Sequence, residues 1–329
     1  PLKHQGEVVH AEFSEDDRYL VTASLDGSAR IWNAESGDPL GEPLRHESEV
    51  FYACFNSQGT LLATAGGDHT CRHWEISGSG ESLFTFQHDG SVKKPVFNQD
   101  GTLLLTYALD HQARLWNTTN GQRGHNAFQF ANPITEVAFL NSGKWFIVLT
   151  EAGEAIVFDC EKGGPVFEEQ PMRQPHRARI SHLAQSADGE QLITTSFDRT
   201  ARVWDVATME RLSIPLLHDH VVTHASFSHD GLFVATASWD HTARVWDAQT
   251  GQPITPPLPH ADWVERAVFK PDGSALITAS GNRAYEWDLT TADIPDEDYM
   301  TIAEVINLAK LDDTGNATRT DIGPVRQTH

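Results

Sequence analysis

Histidine, threonine and aspartate recur along this sequence at spacings that could support chemistry. A histidine is followed 18 residues later by a threonine and 22 residues later by an aspartate, as in His46, Thr64 and Asp68. A hydroxyl, an imidazole and a carboxylate are the parts of a hydrolase triad, and imidazole with carboxylate can also hold a metal ion. The first question is therefore whether these residues form a catalytic or a metal site.

Repetition of the set argues against both kinds of site. The same spacing occurs five times, and a tryptophan completes each set 28 residues after its histidine. An enzyme needs one copy of an active site, whereas a repeated fold needs a stabilising contact in every repeat. We therefore interpret the sets as structural tetrads and expect no catalytic residue, no metal site and no cofactor. The tetrads are His4, Thr22, Asp26, Trp32; His46, Thr64, Asp68, Trp74; His88, Thr106, Asp110, Trp116; His176, Thr194, Asp198, Trp204; and His218, Thr236, Asp240, Trp246.

The tryptophans also set the period of a long repeat. From Trp32 to Trp287 they are spaced by 42, 42, 88, 42 and 41 residues, and the gap of 88 holds one further unit with Phe158 at the tryptophan position. A period of ~40–45 residues with a tryptophan near the end of each unit is typical of β-propeller blades. Asp-Gly pairs between short apolar segments, such as Asp100-Gly101, predict tight turns between strands. The sequence therefore predicts an all-β, seven-bladed β-propeller over residues 1–290.

Two of the seven units depart from the pattern. The fourth has lost all four polar residues together, as a buried network demands, because a half-satisfied network is worse than an apolar core. Its equivalent positions hold Phe130, Val148, Ala152 and Phe158. The seventh unit is one residue short: it keeps His260 and Thr278, and Asn282 is the nearest substitute for the aspartate. We expect a looser turn there.

The order His, Thr, Asp, Trp, with endings such as Val203–Asp205 and Val245–Asp247, resembles the WD40 repeats. The resemblance covers residues 1 to about 288. The segments 40–46 and 256–260, and the tail segment 311–315, resemble those of bacterial WD-repeat domains fused behind Ser/Thr protein kinases. This narrower resemblance implies a regulatory or docking domain of a larger, cytoplasmic signalling protein.

The family resemblance implies roles for the repeated residues. In WD40 repeats the tetrad forms a buried hydrogen-bonded chain, in which aspartate accepts from histidine and the hydroxyl accepts from the indole. The N-terminal segment usually supplies the outer strand of the last blade. Residues 1–4 align with 42–46, so they correspond to part of such a strand. We expect the rest of that strand upstream, and the chain to be a piece of a longer protein.

The resemblance also implies where partners bind. WD40 propellers use a top face, where the loops entering each first strand meet those between the second and third strands. Residues three and five after the tetrad histidine, and the residue before the aspartate, point there, and these positions vary from unit to unit. The predicted partner-binding residues are Phe51, Lys93, Arg179, Phe197, Trp239, Trp263 and Glu265. The three aromatics of units five to seven, with Glu265, are expected to take an arginine or lysine side chain.

Composition restricts the other functions. The net charge of −22 disfavours nucleic-acid binding. No segment approaches the roughly 20 apolar residues of a membrane helix, and we expect no membrane association. Cys54, Cys71 and Cys160 show no disulfide or zinc pattern, so free thiols in a reducing compartment are expected.

The leading prediction for function is a monomeric, non-enzymatic scaffold for protein or peptide partners, basic ones included. A small-molecule or glycan sensor and a propeller hydrolase or lyase remain as alternatives, the last with Glu151 and Glu265 as candidate residues. Residues 291–329 are predicted as a separate helix and tail. Apolar residues at helical spacing, from Ile302 to Ala309 after Pro295, predict a short C-terminal α-helix over 295–311.

Overall fold

A computed structural model describes residues 2–76, 80–125, 127–167, 176–289, 308–311 and 317–319. Within these ranges the regular structure is β-strand, apart from one 3-10 turn at Asn141–Gly143. The strands form seven antiparallel sheets that follow one another along the chain. Seven β units are therefore confirmed, including the fourth unit, which has no tetrad.

The first compact unit comprises residues 1–151 and 155–169 and contains sheets 1 to 4. Sheet 1 consists of β1 (Val8–Phe13), β2 (Tyr19–Ser24), β3 (Ser28–Asn33) and β4 (Pro39–Arg45). Sheet 2 consists of β5 (Val50–Phe55), β6 (Leu61–Gly66), β7 (Thr70–Glu75) and β8 (Phe84–Gln87). Sheet 3 consists of β9 (Val92–Phe97), β10 (Leu103–Ala108), β11 (Gln112–Asn117) and β12 (Phe128–Gln129). Sheet 4 has three strands, β13 (Ile134–Leu140), β14 (Trp145–Thr150) and β15 (Ala155–Asp159).

The second compact unit comprises residues 152–154 and 170–329 and contains sheets 5 to 7. Sheet 5 consists of β16 (Ile180–Gln185), β17 (Gln191–Ser196), β18 (Thr200–Asp205) and β19 (Leu216–Leu217). Sheet 6 consists of β20 (Val222–Phe227), β21 (Phe233–Ser238), β22 (Thr242–Asp247) and β23 (Leu258–Pro259). Sheet 7 has five strands, β24 (Val264–Phe269), β25 (Ala275–Ser280), β26 (Arg283–Asp288), β27 (Leu308–Leu311) and β28 (Ala317–Arg319).

Within each unit the cores lie between neighbouring sheets and explain why both faces of the middle strands are apolar. Between sheets 2 and 3, for example, the buried Phe86 stacks on Trp116 with ring centroids 4.7 Å apart. Strands buried on both faces read as continuous apolar runs instead of strict alternation. The thiols of Cys54 and Cys71 are buried in the same core and are free.

One polar side chain in this core is unusual. The imidazole of His73 is buried against the rings of Phe84, Phe86 and Phe97. Neither of its ring nitrogens has a hydrogen-bond partner among the described residues. Burial lowers the pKa of His73 to about 4, so the ring is neutral at pH 7.

Two predictions about the end of the fold are wrong where the structure describes them. Most of the predicted helix, 295–307, lies outside the described residues, but Leu308–Leu311 form strand β27 and not the last turn of a helix. This strand pairs with β26, Tyr285 opposite Lys310, and so occupies the outer edge of sheet 7 that we assigned to the N-terminal segment. Residues 2–4 form no strand. Pairing with an open sheet edge outweighs the local helical pattern.

The turn in sheet 7 is also tighter than predicted, not looser. Ser280 pairs with Arg283, which leaves a connection of two residues between β25 and β26. Gly281 adopts a positive φ of 57° in this connection, as a two-residue hairpin requires. The missing residue has therefore shortened the turn without loosening the strands.

Candidate functional site

The predicted tetrads lie inside single sheets and share one hydrogen-bonding pattern. In sheets 1, 2, 3, 5, 6 and 7 the histidine Nε2 lies 2.7–2.8 Å from the threonine Oγ1. The tryptophan Nε1 donates to that same oxygen over 2.8–2.9 Å. In sheets 1, 2, 5 and 6 the histidine Nδ1 lies 2.8–3.1 Å from the aspartate.

The direction of each chain follows from its end groups. An ionised carboxylate only accepts, so Nδ1–H of the histidine donates to it, and Nε2 must then accept from the threonine hydroxyl. Burial lowers the pKa of His46, although Asp68 works in the opposite sense. Burial would raise the pKa of Asp68, but hydrogen bonds from His46 and Thr70 outweigh it and lower that pKa to about 2. A neutral imidazole thus donates to an ionised carboxylate.

Sheets 3 and 7 keep only part of this chain. In sheet 3 the His88 Nδ1 is 3.6 Å from the Asp110 carboxylate, which is too long for a hydrogen bond. In sheet 7 the Nδ1–H of His260 donates to the carbonyl oxygen of Leu258 over 3.0 Å, so a backbone group replaces the missing aspartate.

Sheet 4 fills the same space with aromatic and aliphatic side chains. Phe158, at the tryptophan position, stacks on Phe146 with centroids 5.2 Å apart, and Phe130 meets it edge-on at 5.9 Å. Val148, at the threonine position, is fully buried in this cluster. Ala152 is exposed in the following turn.

A β-bulge explains why the position five residues after the tetrad histidine varies. In all seven sheets the pairing between the first two strands skips one residue at this place. A bulged residue takes no part in the ladder, and its side chain is re-aimed. The skipped residues are Val9, Phe51, Lys93, Thr135, Ser181, Thr223 and Glu265. The sequence shows the variation at this position, but not the bulge that permits it.

Three of the predicted binding residues form a continuous row in the second unit. The Phe197 and Trp239 rings meet edge to face with centroids 5.8 Å apart, and Trp239 stacks on Trp263 at 5.0 Å and 24°. Phe197 is 39% exposed and Trp263 51% exposed, so the row presents apolar faces to solvent. We call Phe197, Trp239 and Trp263 the aromatic surface.

Charged side chains border the aromatic surface. The Arg179 guanidinium carbon lies 5.8 Å from the Phe197 ring centroid, so one cation already covers that end. At the other end the exposed side chains of Asp262 and Glu265 flank Trp263 along the chain. A half-exposed tryptophan ring with carboxylates next to it in the chain is an arrangement that attracts a positively charged group.

The other two predicted binding residues belong to the first unit. The Lys93 Nζ lies 4.2 Å from the Phe51 ring centroid, a cation–π contact between neighbouring sheets.

Two bulge residues of the second unit form hydrogen bonds within the chain. The hydroxyl of Ser181 donates to the carbonyl oxygen of Val222, and that of Thr223 donates to Val264 over 2.9 Å. These two positions link neighbouring sheets and are not free to contact a partner.

The described part of the chain has neither a metal-ligand cluster nor a membrane-spanning helix. No group of three or more histidine, cysteine, aspartate or glutamate side chains there is placed to hold a metal ion. In the same residues no helix has the length and apolar character needed to cross a bilayer.

Comparison with known families agrees with this geometry. A family model described as "WD domain, G-beta repeat" matches residues 2–33, 37–75, 80–117, 169–205 and 212–247, more than half of the chain. The matched ranges contain the first three strands of sheets 1, 2, 3, 5 and 6, the five units that have all four tetrad residues.

Proposed function

Because this chain belongs to the WD40 repeat family, whose domains generally mediate protein–protein interactions, we propose that it is a non-catalytic scaffold whose aromatic surface binds a protein partner. Its fold class is the seven-bladed β-propeller of that family. The aromatic surface is the observation that carries the proposal. Clustered, solvent-exposed tryptophan and phenylalanine rings are common at the energetic centres of protein interfaces.

The chemistry around the rings favours a basic segment of the partner. Trp263 offers an open face, with carboxylates on Asp262 and Glu265 next to it in the chain. An arginine or lysine side chain can stack on such a face and approach the carboxylates at once. The net charge of −22 attracts basic partners over longer distances.

Selection from a random peptide library on the immobilised chain at pH 7.5 tests this proposal. Peptides that bind wild type are expected to share an arginine or lysine and to lose at least tenfold in affinity for Trp239→Ala, which removes the middle ring. Leu232→Ala is the matched control, because Leu232 is equally apolar and 60% exposed in the same sheet but lies in the turn before β21. Equal binding by all three proteins, or no bound peptide at all, refutes the proposal.

The wider setting of this scaffold is part of the proposal. We propose a regulatory or docking domain of a larger bacterial signalling protein, monomeric and acting in the cytoplasm. The resemblance of segments 40–46 and 256–260 to linkers of kinase-associated WD repeats supports this assignment. Light scattering after size exclusion tests the monomeric state, and a mass of twice 36.4 kDa contradicts it.

A further inference from the structure

His220 lies beside the aromatic surface, two residues before β20 begins. Its ring centroid is 5.8 Å from that of Trp239, with an interplanar angle of 42°. The ring is exposed and belongs to no tetrad. It is therefore a fourth ring of this surface, and it can carry a charge.

A backbone hydrogen bond selects the tautomer of the neutral ring. The N–H of Val221 donates to Nδ1 of His220 over 2.9 Å. A ring nitrogen that accepts a hydrogen bond carries no proton, so the neutral imidazole that fits this contact has its hydrogen on Nε2. If Nδ1 were protonated, its N–H would face the N–H of Val221, and this hydrogen bond would break.

The backbone of His220 and Val221 also holds the segment that contains Trp239. The N–H of Trp239 donates to the carbonyl oxygen of Val221 over 3.0 Å. The hydroxyl of Ser238 donates to the carbonyl oxygen of His220 over 3.3 Å. Protonation of His220 therefore places a positive charge next to Trp239 and releases a contact of the segment that anchors it.

Most of the other ionisable groups nearby are carboxylates and guanidinium groups, but a second exposed histidine, His241, lies in the turn after Asp240. The charged side chains on the neighbouring elements include Arg177, Arg179, Asp198, Arg199, Asp219, Asp240, Asp262, Glu265 and Arg266. Carboxylates and guanidinium groups ordinarily keep their charge between pH 5 and 8, whereas histidine ordinarily changes its charge in this range. His218 and His224 on the same sheet are buried, and burial lowers the pKa of both, to about 4 for His224.

We propose that His220 regulates the aromatic surface: a cationic side chain binds while the imidazole is neutral, and protonation of the imidazole excludes that cation. The proposal rests on the function proposed above. The imidazolium, whose ring centroid lies 5.8 Å from that of Trp239, competes for this ring and repels a second cation that binds to the aromatic surface. Repulsion between two charges on the order of 6 Å apart in a largely aqueous setting weakens binding about three- to tenfold.

The experiment compares peptide affinity at pH 7.5 and pH 5.5. The probe is a peptide selected on wild type at pH 7.5, resynthesised with blocked ends and without histidine, aspartate or glutamate. Wild type, His220→Gln and His229→Gln are titrated with it by calorimetry. His229 is the matched control, because it is an exposed histidine of the same repeat unit and lies in the turn between β20 and β21. A fluorine label at the tryptophan 5-position reports Trp239 in the free proteins.

Each outcome decides a different point. A loss of three- to tenfold at pH 5.5 in wild type and His229→Gln, but less than twofold in His220→Gln, supports the proposal. The Trp239 fluorine signal should then differ between pH 7.5 and pH 5.5 in wild type and stay constant in His220→Gln. An equal pH dependence in all three proteins overturns the role of His220 and leaves the binding function intact. Absence of peptide binding at pH 7.5 overturns the proposed function, and this proposal with it.

Discussion

Removing one hydroxyl from a tetrad should destabilise the chain out of proportion to its size. Thr194 accepts from the Trp204 Nε1 over 2.9 Å and lies 2.8 Å from the His176 Nε2. All three residues are buried. Thr194→Val keeps the shape but leaves a buried donor and a buried acceptor without partners, each costing about 1–3 kcal/mol. We expect a loss of about 2–4 kcal/mol, or roughly 5 °C or more in melting temperature.

Sheet 4 supplies the matched control for this prediction. The equivalent residue there is already Val148, and Val148→Thr would bury a hydroxyl among phenylalanine rings. Both exchanges should therefore destabilise, although they run in opposite directions. Thermal unfolding measures the loss, and amide hydrogen exchange should place it in β17 for the first variant. A neutral or stabilising Thr194→Val would show that the hydroxyl acts only by filling space, and would refute the reasoning.

Four other substitutions test three further features of the molecule. His73→Leu should flatten the pH dependence of stability. The pKa of His73 is about 4 in the folded chain and 6.5 in the unfolded chain, so wild type has the full contribution of the neutral ring to stability above pH 6.5 and loses it as the pH falls towards 4. Melting temperatures of the variant and of wild type should therefore diverge between pH 7 and pH 4.5. Arg199 has a φ of 71°, and Arg199→Gly should stabilise by about 0.5–1 kcal/mol in urea unfolding, whereas Gly27→Ala, at a φ of 80°, should destabilise. Thr223→Val should cost about 1 kcal/mol by loss of its bond to the carbonyl oxygen of Val264, and an unchanged melting temperature would contradict this.

The repeated part of the fold could be predicted because the same residue pattern occurs independently in successive units. The spacing from His46 to Trp74 reflects the distance between two buried groups in one sheet, and five copies of it exclude coincidence. The sheet 7 edge could not be predicted in this way. Strand β27 forms because it pairs with β26, and that contact joins segments about 20 residues apart in the chain, which no local pattern records.

The aromatic surface was predictable in its members and not in its detail. Phe197 and Trp239 each precede the aspartate of their unit, and Trp263 stands three residues after the histidine of the next unit. Both positions of the repeat register were expected on one face, and the three rings do meet there. His220 stands outside that register, and only the hydrogen bond from Val221 shows its tautomer. The internal use of Thr223 was likewise hidden, because nothing in a sequence tells whether a hydroxyl faces solvent or a neighbouring sheet.

The bulge in the first strand of every sheet makes this chain a starting point for selecting new binding proteins. At a bulged position the side chain can be exchanged without shifting the pairs on either side, because the register already steps over that residue. Val9, Phe51, Lys93 and Glu265 are the bulged residues that carry no hydroxyl group. A library randomised at these four positions should keep most of its members folded, since the tetrads that stabilise the sheets remain unaltered.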